Sequence, residues 1–317
     1  MNEFDLIRRF FSRPVPPGYL GGGDDCALMP LDAGKQLAIS TDLLIEGRHF
    51  LPGADPAGLG HKALAVNISD LAAMGAKPTG CVLALSLPDI DEAWLAGFSE
   101  AFYRLSDETG CPLIGGDTTR SESIVISVTV FGQVDPALAL RRNAARPGDE
   151  IWLTGTLGAA HVALQLLTGA LPEHPALLAA TRPALERPSP PWQFAQGLPG
   201  LAHAALDISD GLLQDLGHIL KASGCGATLR YADLPVHAAL ASLDESIRRE
   251  AVLAGGDVYQ LCFTAPAKHR DEIERLADKL KVQVSRVGTI DEGRNLTVRD
   301  SAGEILPLSS RGFDHFS

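Results

Sequence analysis

Apolar periodicity switches between a two-residue and a helical repeat through both halves of this 317-residue chain, and that alternation predicts an α/β architecture. Residues 36–39 read as a short apolar strand ending in Ser40-Thr41-Asp42, and residues 81–87 and 124–134 as strands rich in β-branched side chains. Between them, residues 59–74 read as a helix. Leu64, Ile68 and Leu71 repeat at i, i+4 and i+7 and form one buried stripe, while Asn67 and Asp70 share a neighbouring face. Residues 91–108 follow the same logic through Trp94, Phe98, Ala101 and Leu105, and Gly110 supplies the stop. The polar, turn-rich residues 141–149 mark a boundary between a domain of residues 1–140 and one of residues 141–317. The second half opens with a strand at 151–154 and a turn and helix from Gly155, then a proline-rich loop at 183–191. Strand-turn-helix units at 204–223 and at 255–263 follow, then an amphipathic helix at 268–280 and a strand at 282–287.

A length of 317 residues exceeds the usual size of a single core and fits two domains. The 39 acidic residues against 27 Lys and Arg give a net charge of −12, which repels nucleic-acid backbones and anionic membrane surfaces. No apolar stretch is long enough for a membrane helix, and Pro14-Val15-Pro16-Pro17 stands where an export signal would need its apolar run, so a cytoplasmic address is expected. Five scattered cysteines without a C-x-x-C pair read as buried thiols. An acidic surplus still admits an anion such as ATP if metal ions stand between it and the carboxylates.

The carboxylates are placed for that. Gly-Gly-Asp occurs three times, at residues 22–24, 115–117 and 255–257, where composition predicts roughly a quarter of one occurrence. Paired glycines after a strand let the backbone approach a ligand, and the aspartate beside them offers a ligand atom. A favourable turn explains any single copy equally well. Asn67-Ile68-Ser69-Asp70-Leu71 is echoed by Asp207-Ile208-Ser209-Asp210-Gly211-Leu212, and both lead into helical pattern. Unpaired N–H groups at such a helix start favour anions; capping by Ser209 or Asp210 is the alternative. No G-x-x-x-x-G-K-[ST] loop, kinase H-R-D or D-F-G, H-E-x-x-H or EF-hand spacing is present.

Gly23-Asp24-Asp25-Cys26-Ala27, Ile39-Ser40-Thr41-Asp42 with His49-Phe50, residues 67–76, residues 113–119, residues 207–212 and the closing Gly312-Phe313-Asp314-His315-Phe316 occur in an order that resembles the thiamine-monophosphate kinase family. That family shares a superfamily with aminoimidazole ribonucleotide synthetase and selenophosphate synthetase. The resemblance implies α/β domains with mixed sheets, the N-terminal sheet closing a barrel in a homodimer and the C-terminal domain completing the site. It implies ATP-dependent phosphorylation of thiamine monophosphate to thiamine diphosphate with several Mg²⁺ ions, and leaves a K⁺ requirement open. By motif position it assigns metal ligation to Asp25, Ser40, Thr41, Asp42, Asp70, Asp117, Asp207 and Asp210, with Asp42, Asp117 and Asp210 central to catalysis. ATP contacts fall to Gly116, Asp117, Arg142 and Ser209, and contacts with thiamine monophosphate to His49, Asp257 and Phe313.

The match has departures. Val258 and Gln260 stand where the family usually carries acids, Asp257 where glutamate is common, and Thr109 where many relatives have tyrosine. A related ligase acting on another substrate and a nucleotide-binding scaffold without turnover are the rival readings. His49 and Phe313 oppose the first, and the full set of aspartates opposes the second.

Overall fold

A computed structural model of the chain describes residues 2–307. The chain divides into two compact units, one holding residues up to Leu71 together with Ala76–Ala137, the other Ala72–Gly75 together with the residues from Leu138 onward. No described helix is long and apolar enough to cross a membrane.

The first unit begins with the short α1 (Glu3–Leu6) and then builds β1 (Gln36–Ile45), α2 (Pro56–Ala73), β2 (Lys77–Leu87), α3 (Glu92–Thr109), β3 (Leu113–Arg120) and β4 (Val125–Val134). Its four-stranded sheet runs β1-β4-β2-β3, antiparallel except for the parallel β2–β3 pair. Helix α2 lies against β4, where a Cβ on Gly132 would stand 2.9 Å from Leu71, and against α3, where one on Gly60 would stand 2.1 Å from the Phe98 carbonyl oxygen. With partners on two sides, residues 58–71 are buried on every face except at the half-buried His61 and Asp70, rather than along the one stripe expected. Helix α3 keeps its expected limits. Asp91 accepts from the N–H groups of Ala93 and Trp94 at 2.9 and 3.1 Å, and Gly110 ends the helix in the left-handed region. Asp91→Ala is expected to destabilise the protein by about 1 kcal/mol in a urea titration; an unchanged midpoint would mean the cap contributes nothing.

Two strands differ from expectation. β1 does not stop at Ser40-Thr41-Asp42 but carries these residues on to Ile45, because they pair with Val130, Thr129 and Val128 of β4. Gly115-Gly116-Asp117 does not follow a strand but lies inside β3, paired with Val82, Leu83 and Ala84. Cys26 is exposed, against the expectation of five buried thiols, while Cys81, Cys111, Cys225 and Cys262 are buried.

The second unit contains β5 (Glu150–Thr154), α4 (Ala159–Leu167), α5 (Pro175–Glu186), α6 (Trp192–Ala195), β6 (Ala204–Asp207), α7 (Leu212–Ser223), β7 (Gly226–Arg230), α8 (Glu245–Ala254), β8 (Leu261–Ala265), α9 (Arg270–Leu280), β9 (Val284–Asp291) and β10 (Leu296–Arg299). Its sheet runs β10-β7-β9-β5-β8-β6, and only β10–β7 is parallel. Both faces are covered. Ile151 and Leu153 of β5 join a core with Leu206, Leu216, Ile219 and Val287, while Trp152 between them joins Phe194, Phe263 and Ile273 on the other side. Pro183 falls inside α5 rather than in a loop. Residues 255–263 are not strand-turn-helix: α8 precedes Gly255 and β8 follows from Leu261, so the third Gly-Gly-Asp lies on a helix-to-strand loop.

Candidate active site

In the first unit, one face of β1 meets α2 at three of the expected residues. Ser40 Oγ donates to Asp70 Oδ2 at 2.5 Å, and the Asp42 N–H donates to Asn67 Oδ1 at 3.0 Å. Asn67 is buried and its amide group donates to the Ala63 carbonyl, so its oxygen is held towards β1. Burial first, and the charge of Asp70 second, push the Asp42 carboxyl from 3.8 up to about 7. Two carboxylates placed so closely repel each other, and a dication between them would relieve that repulsion.

Thr41 and Asp117 are not brought to this cluster. Alternate residues of a strand face opposite sides of its sheet, so Thr41 faces away from Ser40 and Asp42. It donates to the Val128 carbonyl at 3.2 Å and accepts from Thr129 Oγ1 at 3.0 Å. Asp117 is exposed and pairs with Ala84, in the row that runs through Ser127 to Leu43. Gly116 is accounted for by packing, since a Cβ there would stand 2.0 Å from the Leu83 carbonyl oxygen. Asp25 lies on an exposed loop. His49, in the turn after β1, accepts the Ile45 N–H on Nδ1 at 3.0 Å, which places the proton of the neutral ring on Nε2.

The second unit gathers Asp207, Ser209, Asp210 and Asp257. Asp207 is buried at the end of β6, and Gln214 donates to Asp210 Oδ2 at 3.1 Å. The N–H groups of Ser209, Asp210 and Gly211 are not open to an anion, as the helix-start reading expected. They donate to Asp215 Oδ2 at 3.0, 3.0 and 3.1 Å. Neither Ser209 nor Asp210 caps α7: Gly211 holds the N-cap position without a side-chain hydrogen bond, and Asp215, from the first turn, binds instead the N–H groups that lead into the helix. Its carboxyl is pushed from 3.8 up to about 6, mainly by burial. Asp257 holds a left-handed backbone at φ 59°, and its N–H donates to the Ser209 carbonyl at 2.8 Å. The Arg142 backbone lies at the other end of α7, its carbonyl accepting from Ser223 Oγ at 2.9 Å. Phe313 lies outside the described residues.

Sequence reasoning missed Asn67 and Asp215 as organising groups. The only signal for Asp215 is a carboxylate in the first turn of a helix, which is common on any helix start. The departures also acquire places. Gln260 accepts from Thr154 Oγ1 at 2.8 Å and donates to the Ser189 carbonyl at 2.9 Å, Val258 packs on the core of its unit, and Thr109 is buried with its hydroxyl on the Leu105 carbonyl at 2.7 Å.

Residues 23–134 match the AIR synthase related protein N-terminal domain, and residues 146–301 the corresponding C-terminal domain. A thiamine-monophosphate kinase of Escherichia coli O157:H7 is 45% identical over 99% of this chain and 98% of its own length. The crystal structure of thiamine-monophosphate kinase from Stenotrophomonas maltophilia K279a superposes with a TM-score of 0.85 at 42% identity, covering 96% of each chain. A solved complex of AaThiL with AMPPCP and TMP superposes with a TM-score of 0.79 at 29% identity, covering 91% of this chain and 90% of that one. With two successive domain matches and full-length likeness at this level, the chain belongs to the thiamine-monophosphate kinase family of AIR synthase related proteins.

Proposed function

We propose that this chain phosphorylates thiamine monophosphate to thiamine diphosphate with ATP, in one direct in-line transfer without a phosphoenzyme. The observation that carries the reading is likeness over the whole chain to thiamine-monophosphate kinases, one likeness holding AMPPCP, an ATP analogue, together with TMP. The acceptor is a phosphate oxygen whose second pKa of about 6 leaves it anionic at neutral pH, so no general base is required. The obstacle is repulsion between two polyanions.

Magnesium ions, when bound, supply the charge compensation that phosphoryl transfer between polyanions needs. Among the described residues no three His, Cys, Asp or Glu side chains form a ready cage. Asp42 and Asp70 nevertheless fit an ion that takes one or two carboxylates and fills its shell with water and phosphate oxygens. We assign them to that role with Ser40, and assign Asp25, Thr41 and Asp117 of the first unit, and separately Asp207 and Asp210 of the second, to further ions, Thr41 and Asp117 standing apart from the Asp42 cluster. Gly116, Asp117, Arg142 and Ser209 are assigned to the nucleotide, and His49, Asp257 and Phe313 to thiamine monophosphate. His49 would offer its Nε2 proton to the substrate phosphate. The domain limits of residues 1–140 and 141–317, a cytoplasmic setting and any role for K⁺ belong to the same proposal.

A homodimer through the first unit is supported by β1, an edge strand that exposes Leu37, Ile39 and Leu43 on one face, 42%, 59% and 48% accessible. Ile39→Lys is expected to turn the dimer into a monomer, read by light scattering after gel filtration. A dimer that survives Ile39→Lys combined with Leu43→Lys would place the interface elsewhere.

The test of function is product analysis with ATP, Mg²⁺ and thiamine monophosphate, beside free thiamine. Thiamine diphosphate formed only from the monophosphate supports the kinase; bound but intact ATP with every thiamine species leaves a nucleotide-binding scaffold.

A further inference from the structure

Asp215 is 4% exposed and is not among the residues that motif position marks as ligands. One of its oxygens accepts three successive backbone N–H groups, from Ser209, Asp210 and Gly211, at 3.0 to 3.1 Å. Successive N–H groups converging on one point form the nest that, at other helix N-termini, holds a phosphate. Here the chain's own carboxylate fills it, so the loop carrying Asp207 and Asp210 is tied from behind by an anion.

A second loop hangs on the first. The carbonyls of Ile208 and Ser209 accept the N–H groups of Tyr259 and Asp257, each at 2.8 Å. The approach is too close for a side chain, because a Cβ on Gly256 would stand 2.5 Å from the Ser209 carbonyl oxygen, and one on Gly211 2.6 Å from that of Ala254. Asp257 and Tyr259 both hold left-handed backbones, at φ 59° and 51°, which non-glycine residues keep only where neighbours impose them. Ser209 is one such neighbour, and Asp215 sets the position of Ser209.

We infer that Asp215 is a positioning residue: by filling the N–H nest of residues 209–211 it denies that nest to phosphate and fixes together the loop of Asp207, Ser209 and Asp210 and the loop of Asp257. Its consequence for catalysis rests on the kinase reading. Its consequence for the two loops does not.

The experiment compares Asp215→Ala and Asp215→Asn with the full-length wild type by amide hydrogen exchange and by steady-state kinetics. Loss of hydrogen bonds to a charged acceptor is expected to speed exchange about tenfold or more at residues 209–211 in the alanine variant, and also at Asp257 and Tyr259. Its kcat is expected to fall about a hundredfold, with the asparagine variant between the two because its amide oxygen still accepts. Faster exchange confined to residues 209–211, or a kcat within about twofold of wild type, would overturn the inference. If the alanine variant does not fold, the asparagine variant is judged on the same two criteria. A wild type that makes no thiamine diphosphate removes the kinase reading, while the exchange comparison still decides whether Asp215 couples the loops.

Discussion

Asp42→Asn is expected to slow thiamine diphosphate formation by about 10²–10³-fold and, in the same protein stripped of metal, to raise the melting temperature. Loss of activity follows from the assignment of Asp42 to a cation that offsets charge in the transition state; removing one such electrostatic partner costs about 10²–10³-fold in kcat. The gain in stability follows from the structure. Asp42 is a half-buried carboxylate near the like charge of Asp70, and the substitution keeps its shape and the N–H bond to Asn67 while removing the charge. Because the folded state raises this carboxyl from 3.8 to about 7, the fold holds the proton more tightly than the unfolded chain does. That preference favours folding in acid and is lost as pH rises through about 7. Metal-free wild type should therefore melt higher at pH 6 than at pH 8, and the variant should flatten that slope and melt about 2–4 °C above wild type at pH 8. Asp215 acts in the same direction but titrates lower, at about 6, so the upper part of the scan belongs mainly to Asp42. Added Mg²⁺ should stabilise wild type at pH 8 and do so less in the variant. A variant that melts lower without metal contradicts the repulsion between Asp42 and Asp70, and one that keeps kcat within about tenfold of wild type removes Asp42 from the metal.

Ser40, Asp42 and Asp70 show how far such a site can be read from sequence. Their motif order pointed to metal chemistry, and helical spacing put Asn67 and Asp70 on adjoining positions of one helix. Which face of β1 each residue would take was not legible, because polar Ser-Thr-Asp read as a strand end. Strand pairing with Val130, Thr129 and Val128 overrode that local signal and sent Thr41 to the opposite face. The limits of α3 were legible because Asp91 and Gly110 announce them chemically. β3 was not, since Gly115, Gly116 and Asp117, all poor strand formers, interrupt it and break any apolar alternation despite the β-branched Thr118 and Thr119, and the segment becomes a strand by lying along β2. Asp215 was hidden for a different reason. Its role depends on three N–H groups converging from the preceding loop, and that geometry does not exist until the loop is folded.

Gly116→Ala is expected to destabilise the first unit with no nucleotide present, and this separates two reasons for the repeated glycine pairs. An added Cβ would stand 2.0 Å from the carbonyl oxygen of Leu83 and 2.9 Å from its carbonyl carbon. Both are backbone atoms of β2, so no rotamer change can clear them. Nor can β2 withdraw, because Leu83 is 4% exposed and is paired on its other side with Val128 of β4. Overpacking a core costs about 1–3 kcal/mol where side chains can yield, and a backbone clash belongs at or above the top of that range. Against a total stability of about 5–15 kcal/mol, a loss of about 3 kcal/mol would lower the urea midpoint plainly while leaving a folded fraction large enough for binding. Gly22 is the internal control: a Cβ there meets nothing within 4 Å, so Gly22→Ala should stay within about 0.5 kcal/mol of wild type. Had the glycine of the second triplet been needed only for a nucleotide to approach, the alanine variant would unfold like wild type without ligand and fail only in binding. Ligand-free urea titrations of the two variants, followed by nucleotide binding to the folded fraction, decide between these. A destabilised Gly116→Ala beside an unaffected Gly22→Ala would mean that glycines of like triplets answer to unequal demands, in β3 the approach of a neighbouring strand and at Gly22 none from the protein itself. A Gly116→Ala protein as stable as wild type would return that glycine to the ligand.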